Sequence, residues 1–189
     1  SAQLHDVVYV TSREGNYTGS EANYLARFDA RDGRRMEDLK LFYDANMKAP
    51  YQAGVNDVML DSNNDLYVAT LSLPSSKYTT RYFNVCRVDP GTGVCTTVLS
   101  VQMPTTYRID HCAIAKGSNY WTYYIFTVGN GDGKTYVTRY TLWGNPATKA
   151  QALKSTVTNV LSEYYGTAPS IHMVQGPGEV NQLKFVVNG

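Results

Sequence analysis

An all-β fold of repeated antiparallel units, each of four short strands, is what this sequence predicts, and three observations predict it. Runs of strand-forming residues recur between turn clusters, as in Leu66-Tyr67-Val68-Ala69-Thr70 after Asp61-Ser62-Asn63-Asn64-Asp65. Tyrosine, at 16 of 189 residues, is the outlier in composition, and phenolic rings suit half-buried sheet surfaces. The third observation is self-similarity. YLARFDARDGRRMEDLKLF (24–42) aligns with FNVCRVDPGTGVCTTVLSV (83–101): each has an apolar run, Arg-x-Asp, a turn with Gly and a second alternating run.

A looser third copy is TYVTRYTLWGNPATKAQALKSTV (135–157), with Arg139-Tyr140-Thr141 in place of Arg-x-Asp. Ahead of each pair stands another strand, at 6–12, 65–72 and 120–129, and LKFVVNG closes the chain as a fourth of this type. Ahead of these again come 56–61, 110–115 and 171–176. Equivalent positions recur at steady intervals: Arg27 to Arg87 is 60 residues, Arg87 to Arg139 is 52, and Asp57 to His111 is 54. Four strands per repeat describe the blades of a β-propeller, divided as 5–45, 55–103, 109–162 and 170–189, with a sandwich of short strands as the alternative. Segment 147–165 also reads as an amphipathic helix with Leu153, Val157, Val160 and Leu161 on one face, but its Thr and Val content and its place in the repeat favour an outer strand. The strands then number three, four, four and two, starting and stopping in mid-blade. A propeller closes with about four blades or more, so the chain is expected to be part of a larger or oligomer-completed ring.

Composition narrows the partners. Apolar residues make up 43% and charged residues 17%, with a formal net charge of +1, which argues against nucleic acid or an anionic membrane surface as the main partner. No apolar run approaches the roughly 18 residues of a membrane span, and SAQLHDVVYV lacks the features of a signal peptide. Cys86 and Cys95 bracket RVDPGTGV, and a hairpin centred on Pro90-Gly91 sets them opposite each other, predicting a disulfide and an oxidising compartment. The sequon Asn16-Tyr17-Thr18, in a Gly-rich loop, agrees with a secreted or cell-surface protein glycosylated at Asn16. Cys112 is expected to be a buried free thiol.

A polar pair, Asn56-Asp57, stands directly before Val58-Met59-Leu60, where a buried strand is expected to begin. The repeat places Asp110-His111 and Ser170-Ile171-His172 at the same point. In a propeller the starts of inner strands gather around one mouth of the central channel. Asn56 and Asp110 are expected to point to its axis, leaving Asp57 and His111 to bond neighbouring turns.

VNDVMLDSNNDLYVAT (55–70) resembles the blades of the senescence-marker-protein, gluconolactonase and strictosidine-synthase-like propellers, a pattern that NHL-type propellers share in part. In those an Asn-Asp pair opens the inner strand and an Asp-x-x-Gly-x-Leu-Tyr-Val turn follows; here Asn64 takes the place of the Gly. The resemblance implies a calcium ion on the channel axis, with Asn56 as a ligand and Asp57 beside it, and lactonase or arylesterase activity. Calcium takes six to eight oxygens, which suits Asn56, Asp57 and Asp110, whereas His111 and His172 with one or two aspartates suit zinc better. The ordinary alternative is that these side chains cap turns or hold water.

Other motifs point elsewhere. Asp110, His111 and Ser170 name a triad without a nucleophile-elbow pattern. His5-Asp6 reads as a surface pair, VGNGDGKTY (128–136) as a hairpin turn with no helix to make a phosphate loop, and RDGRR (31–35) as a charged hairpin tip. Two functions remain. One is a non-enzymatic extracellular propeller for recognition, adhesion or assembly with a protein or carbohydrate partner. The other is a metal-dependent, calcium-type hydrolase with its site at the channel mouth.

Overall fold

The computed structural model describes residues 2–11, 24–48, 53–61, 63–72, 80–104, 106–109, 111–116, 122–144, 151–161, 170–175 and 181–186. The chain forms two compact units, Ser1–Thr105 and Thr106–Gly189. Among the described residues every regular element is a strand, and no helix is long and apolar enough to cross a membrane.

In the first unit, β1 (Ala2–Leu4), β2 (Val7–Val10), β3 (Tyr24–Asp29) and β4 (Leu39–Lys40) form an antiparallel sheet in chain order. A second sheet holds β6 (Ala53–Leu60), β7 (Leu66–Ser72), β8 (Arg81–Val88) and β9 (Val94–Met103), again antiparallel and in chain order. Its outer edge carries an added strand, β5 (Phe42–Tyr43), which runs parallel to β9 with Phe42 opposite Val94 and Tyr43 opposite Cys95. In the second unit, β10 (His111–Lys116), β11 (Thr122–Gly131), β12 (Lys134–Gly144) and β13 (Gln151–Val160) repeat the four-stranded meander. A hairpin of β14 (Ser170–Gln175) and β15 (Asn181–Val186) follows, with β14 close to β10 and β11. Segment 151–160 is a strand, as its β-branched content favours, and not a helix.

The repeated Arg-x-Asp segments make one and the same turn twice. After β3, Asp29 N–H donates to Arg34 O (2.9 Å), Gly33 N–H donates to Asp29 O (2.8 Å), and the Asp29 carboxylate accepts the Arg31 N–H (2.9 Å). After β8, Asp89 N–H donates to Val94 O (2.9 Å), Gly93 N–H donates to Asp89 O (2.8 Å), and Asp89 Oδ1 accepts the N–H groups of Gly91 and Thr92. Gly33 and Gly93 close the two turns at φ +75° and +74°, where a residue without a Cβ fits best. Between β6 and β7 the left-handed position falls on Asn64 (φ +62°), the residue type that tolerates it next best after glycine. Asp132 and Gly133, both at positive φ, make the two-residue turn between β11 and β12, so 128–136 is a hairpin as expected.

Two expectations are corrected. The first sheet starts one strand earlier than the repeat implied. Residues 2–4 pair with 7–10 across a tip at His5-Asp6, where His5 has φ +52° and both residues are exposed. More important, none of Cys86, Cys95 and Cys112 is in a disulfide bond. The turn is not centred on Pro90-Gly91: it closes at Val88↔Cys95, and Cys86 lies opposite Thr97. That register makes Cys86 and Cys95 diagonal neighbours on one face, farther apart than directly opposed residues and unsuited to a bridge.

The core of the first unit lies between its two sheets, where Leu4, Tyr9, Leu25 and Leu39 meet Val55, Val58, Val68 and Cys86. β7 is buried on both faces. Leu66, Val68 and Thr70 fill one side and Tyr67, Ala69 and Leu71 the other. In the second unit β11 and β12 likewise bury both faces, with Ile125, Tyr140 and Leu142 on one and Val128 and Val137 on the other.

Candidate functional site

The Asn56-Asp57 pair lies in the middle of β6, which begins at Ala53. Val55 pairs with Thr70 and Asp57 with Ala69, so Asn56 is the extra residue of a β-bulge. The oddity of a polar pair before an apolar run therefore has a local cause: the bulge interrupts the strand's alternation at Asn56. Both side chains are half-buried, and Asp57 Oδ1 accepts its neighbour Val58 N–H (2.9 Å). Beside the bulge runs a buried polar row. Asn84 Nδ2 donates to Thr70 Oγ1 (3.4 Å) and Lys48 O (3.1 Å), and Ser100 Oγ donates to Asn84 Oδ1 (2.7 Å). The following turn is held by Asp61, which accepts the N–H groups of Asn63 and Asp65 and the Tyr67 hydroxyl.

The remaining predicted ligands belong to the second unit. His111 heads β10 opposite Val128 and is half-buried. His172 lies on β14 opposite Lys184, and Ser170 opposite Val186. The side chains of His172 and Ser170, together with Asp110 and the sequon at Asn16, lie outside the described residues. Among the described residues no group of three or more His, Cys, Asp or Glu side chains is arranged to hold a metal ion.

A second cluster surrounds the thiols. Asp44, following β5, accepts the Thr97 N–H (3.0 Å) and hydroxyl (2.6 Å) and the Asn46 N–H (3.1 Å). Burial pushes its carboxyl upward, but those hydrogen bonds outweigh burial and hold it below the ordinary carboxylate value. Cys86 Sγ lies 3.7 Å from Thr97 Oγ1, and Cys95 Sγ donates to Gly93 O (3.3 Å). Burial pushes both thiols up to about 12, so they stay protonated and unreactive at neutral pH. The Tyr43 hydroxyl is buried without a hydrogen-bond partner, and burial, followed by the neighbouring Cys95 and Cys86, raises its pKa well above the ordinary value.

A third arrangement was not anticipated. The exposed large apolar side chains of the described residues are Tyr24, Phe42, Val94, Trp143, Leu153, Val157 and Val160. All sit on the third, fourth or added strand of a sheet. In the second unit they adjoin cations. On one face of the sheet, cross-strand rows read Thr122–Trp143–Ala152, Tyr124–Thr141–Ser155 and Phe126–Arg139–Val157. Arg139 lies over the Tyr124 ring (5.7 Å to its centre), and Tyr124 and Phe126 are 6.4 Å apart and tilted. Lys154 is the extra residue of a bulge opposite Thr141 and Leu142, and its Nζ stands 3.0 Å from the centre of the Trp143 ring. A sequence signal for this face exists: KTYVTRYTLWG alternates so that Arg139, Thr141 and Trp143 share a side.

The basic tip 31–35 is largely satisfied within itself. Arg31 forms a two-pronged pair with Asp29 (3.0 and 2.7 Å), and Arg35 pairs with Asp38. A shallow depression of about 460 Å³ adjoins it, lined by Tyr24, Arg35, Met36, Glu37 and Asp38. Comparison with protein-family models and with curated proteins finds no match to this chain.

Proposed function

We propose that the chain is part of a β-propeller that acts in recognition, outside the cell, and binds a protein or carbohydrate partner through the outer strands of its sheets. Two features support the architecture: three successive four-stranded meanders, and middle strands buried on both faces. A two-sheet sandwich leaves one face of each sheet to solvent, whereas stacked blades cover both. Recognition is carried by one observation: among the described residues the exposed large apolar side chains are confined to the third, fourth and added strands, where they form contact surface and not core. With the cysteines unbridged, extracellular placement rests on the sequon at Asn16.

The metal-dependent hydrolase is kept as a second reading because the bulge singles out Asn56, the residue the family resemblance makes a calcium ligand. Bulges commonly re-aim side chains beside active sites. Metal analysis of the purified protein, with lactone and aryl-ester hydrolysis assayed on the same sample, separates the two. Recognition predicts no hydrolysis above the background of an Asn56→Ala variant. Stoichiometric calcium together with activity that this variant loses would replace recognition with the hydrolase.

A further inference from the structure

We infer that the Arg139–Trp143 face of the second unit is a binding site for an acidic oligosaccharide, one carrying carboxylate or sulfate groups; this rests on the recognition reading above. Trp143 is 50% exposed, and an indole ring offers a flat apolar surface to the C–H face of a sugar. Arg139 and Lys154 stand at the two ends of this surface, both exposed. Arg139 and Trp143 lie four residues apart on β12, roughly 13 Å along the strand, a span longer than one sugar unit. Between them the exposed Ser155 supplies a hydroxyl for hydrogen bonding.

Charge makes the choice of ligand. No Asp or Glu stands on any of the four strands of this sheet, while Arg139 and Lys154 both stand at this face. A neutral glycan would leave those cations unused. A nucleic acid is disfavoured because its affinity comes from many phosphate contacts, and here two cations serve a chain of net charge +1. Addition of a peptide strand to β13 is disfavoured as well, because a bulge bearing a lysine is a standard way of blocking an edge.

The test is direct binding of the full chain to four probes: a heparin-derived hexasaccharide, hexagalacturonate, neutral maltohexaose and a single-stranded oligonucleotide. We expect the protein to bind at least one of the two acidic sugars and to favour it over maltohexaose by about tenfold or more. Arg139→Glu combined with Lys154→Glu should weaken that binding by at least about tenfold and flatten its salt dependence. Trp143→Ala should weaken it comparably while leaving the salt dependence unchanged. Lys134→Glu, opposite Gly131 at the hairpin end, should leave affinity nearly as it is, and an unchanged melting temperature guards each variant against misfolding. Failure to bind either acidic sugar overturns the inference. So does equal binding of maltohexaose, tighter binding of the oligonucleotide, or indifference to the Trp143 and Arg139/Lys154 changes. None of these outcomes touches the recognition reading, which the hydrolysis assay decides separately.

Discussion

Asp44 does the work the cysteines were expected to do. It ties residues 53 positions apart through the Thr97 amide and hydroxyl, where a disulfide was anticipated a few residues away. The cysteine expectation failed for a definite reason. Residues 86 and 95 are symmetric about Pro90-Gly91, but the hydrogen bond from Gly93 N–H to Asp89 O shifts the turn, and a two-residue offset separates opposed from diagonal side chains. Composition could not reveal that offset, although Gly93 at a left-handed position is a visible clue to it. Thiol labelling under native, non-reducing conditions should find all three cysteines slow to react, and three equivalents should be modified after unfolding. Two of the three resisting labelling after unfolding without reductant would restore the bridge.

At the scale of elements the repeat was readable because its turns are chemical signatures. An aspartate whose carboxylate accepts amides two or three residues on, followed by a glycine four residues on, specifies the same hairpin at 29–33 and 89–93. Two of the short strands were not readable. β1 and β5 are too short to show alternation, and β5 is defined by a partner far along the chain. The local setting of Asn56 was not readable for a similar reason, since the bulge that isolates it depends on pairing with β7. The twin glycines offer a controlled comparison. A Cβ at Gly33 meets open space, so Gly33→Ala should cost only the left-handed backbone penalty, about 1 kcal/mol. A Cβ at Gly93 would lie 1.8 Å from the Lys40 carbonyl oxygen. Gly93→Ala should therefore cost roughly 3 kcal/mol or more, because the backbone on one side must move. Denaturant midpoints of the two variants measure the difference, and equal losses would deny the close approach of the two segments.

For the molecule as a whole, the carboxyls of Asp29, Asp44 and Asp89 are all held below their ordinary value. For Asp29 and Asp89 the leading cause is hydrogen bonding, from Arg31 and from the Gly91 amide respectively. A depressed carboxyl contributes stability that is fully present above its unfolded pKa of about 3.9 and is lost as pH falls through the lower folded value. Acid should therefore loosen residues 24–44 and 88–97. Hydrogen exchange compared between neutral pH and about pH 3, corrected for intrinsic rates, should show protection lost there, whereas unchanged protection would contradict the assigned hydrogen bonds. The two-sided burial of β7 and β11 was legible in their apolar runs, LYVATL and YIFTV. One connection also sets an order of events. β4 completes the first sheet, and after Leu41 the chain enters β5, whose place on the second sheet exists only once β9 has formed. During synthesis, which runs from the N-terminus, residues 42–44 are left waiting until residue 97 has been made and has folded back. The first repeat is thus latched by the second, and a ribosome halted between them would carry a sheet whose last clasp has nothing to close on.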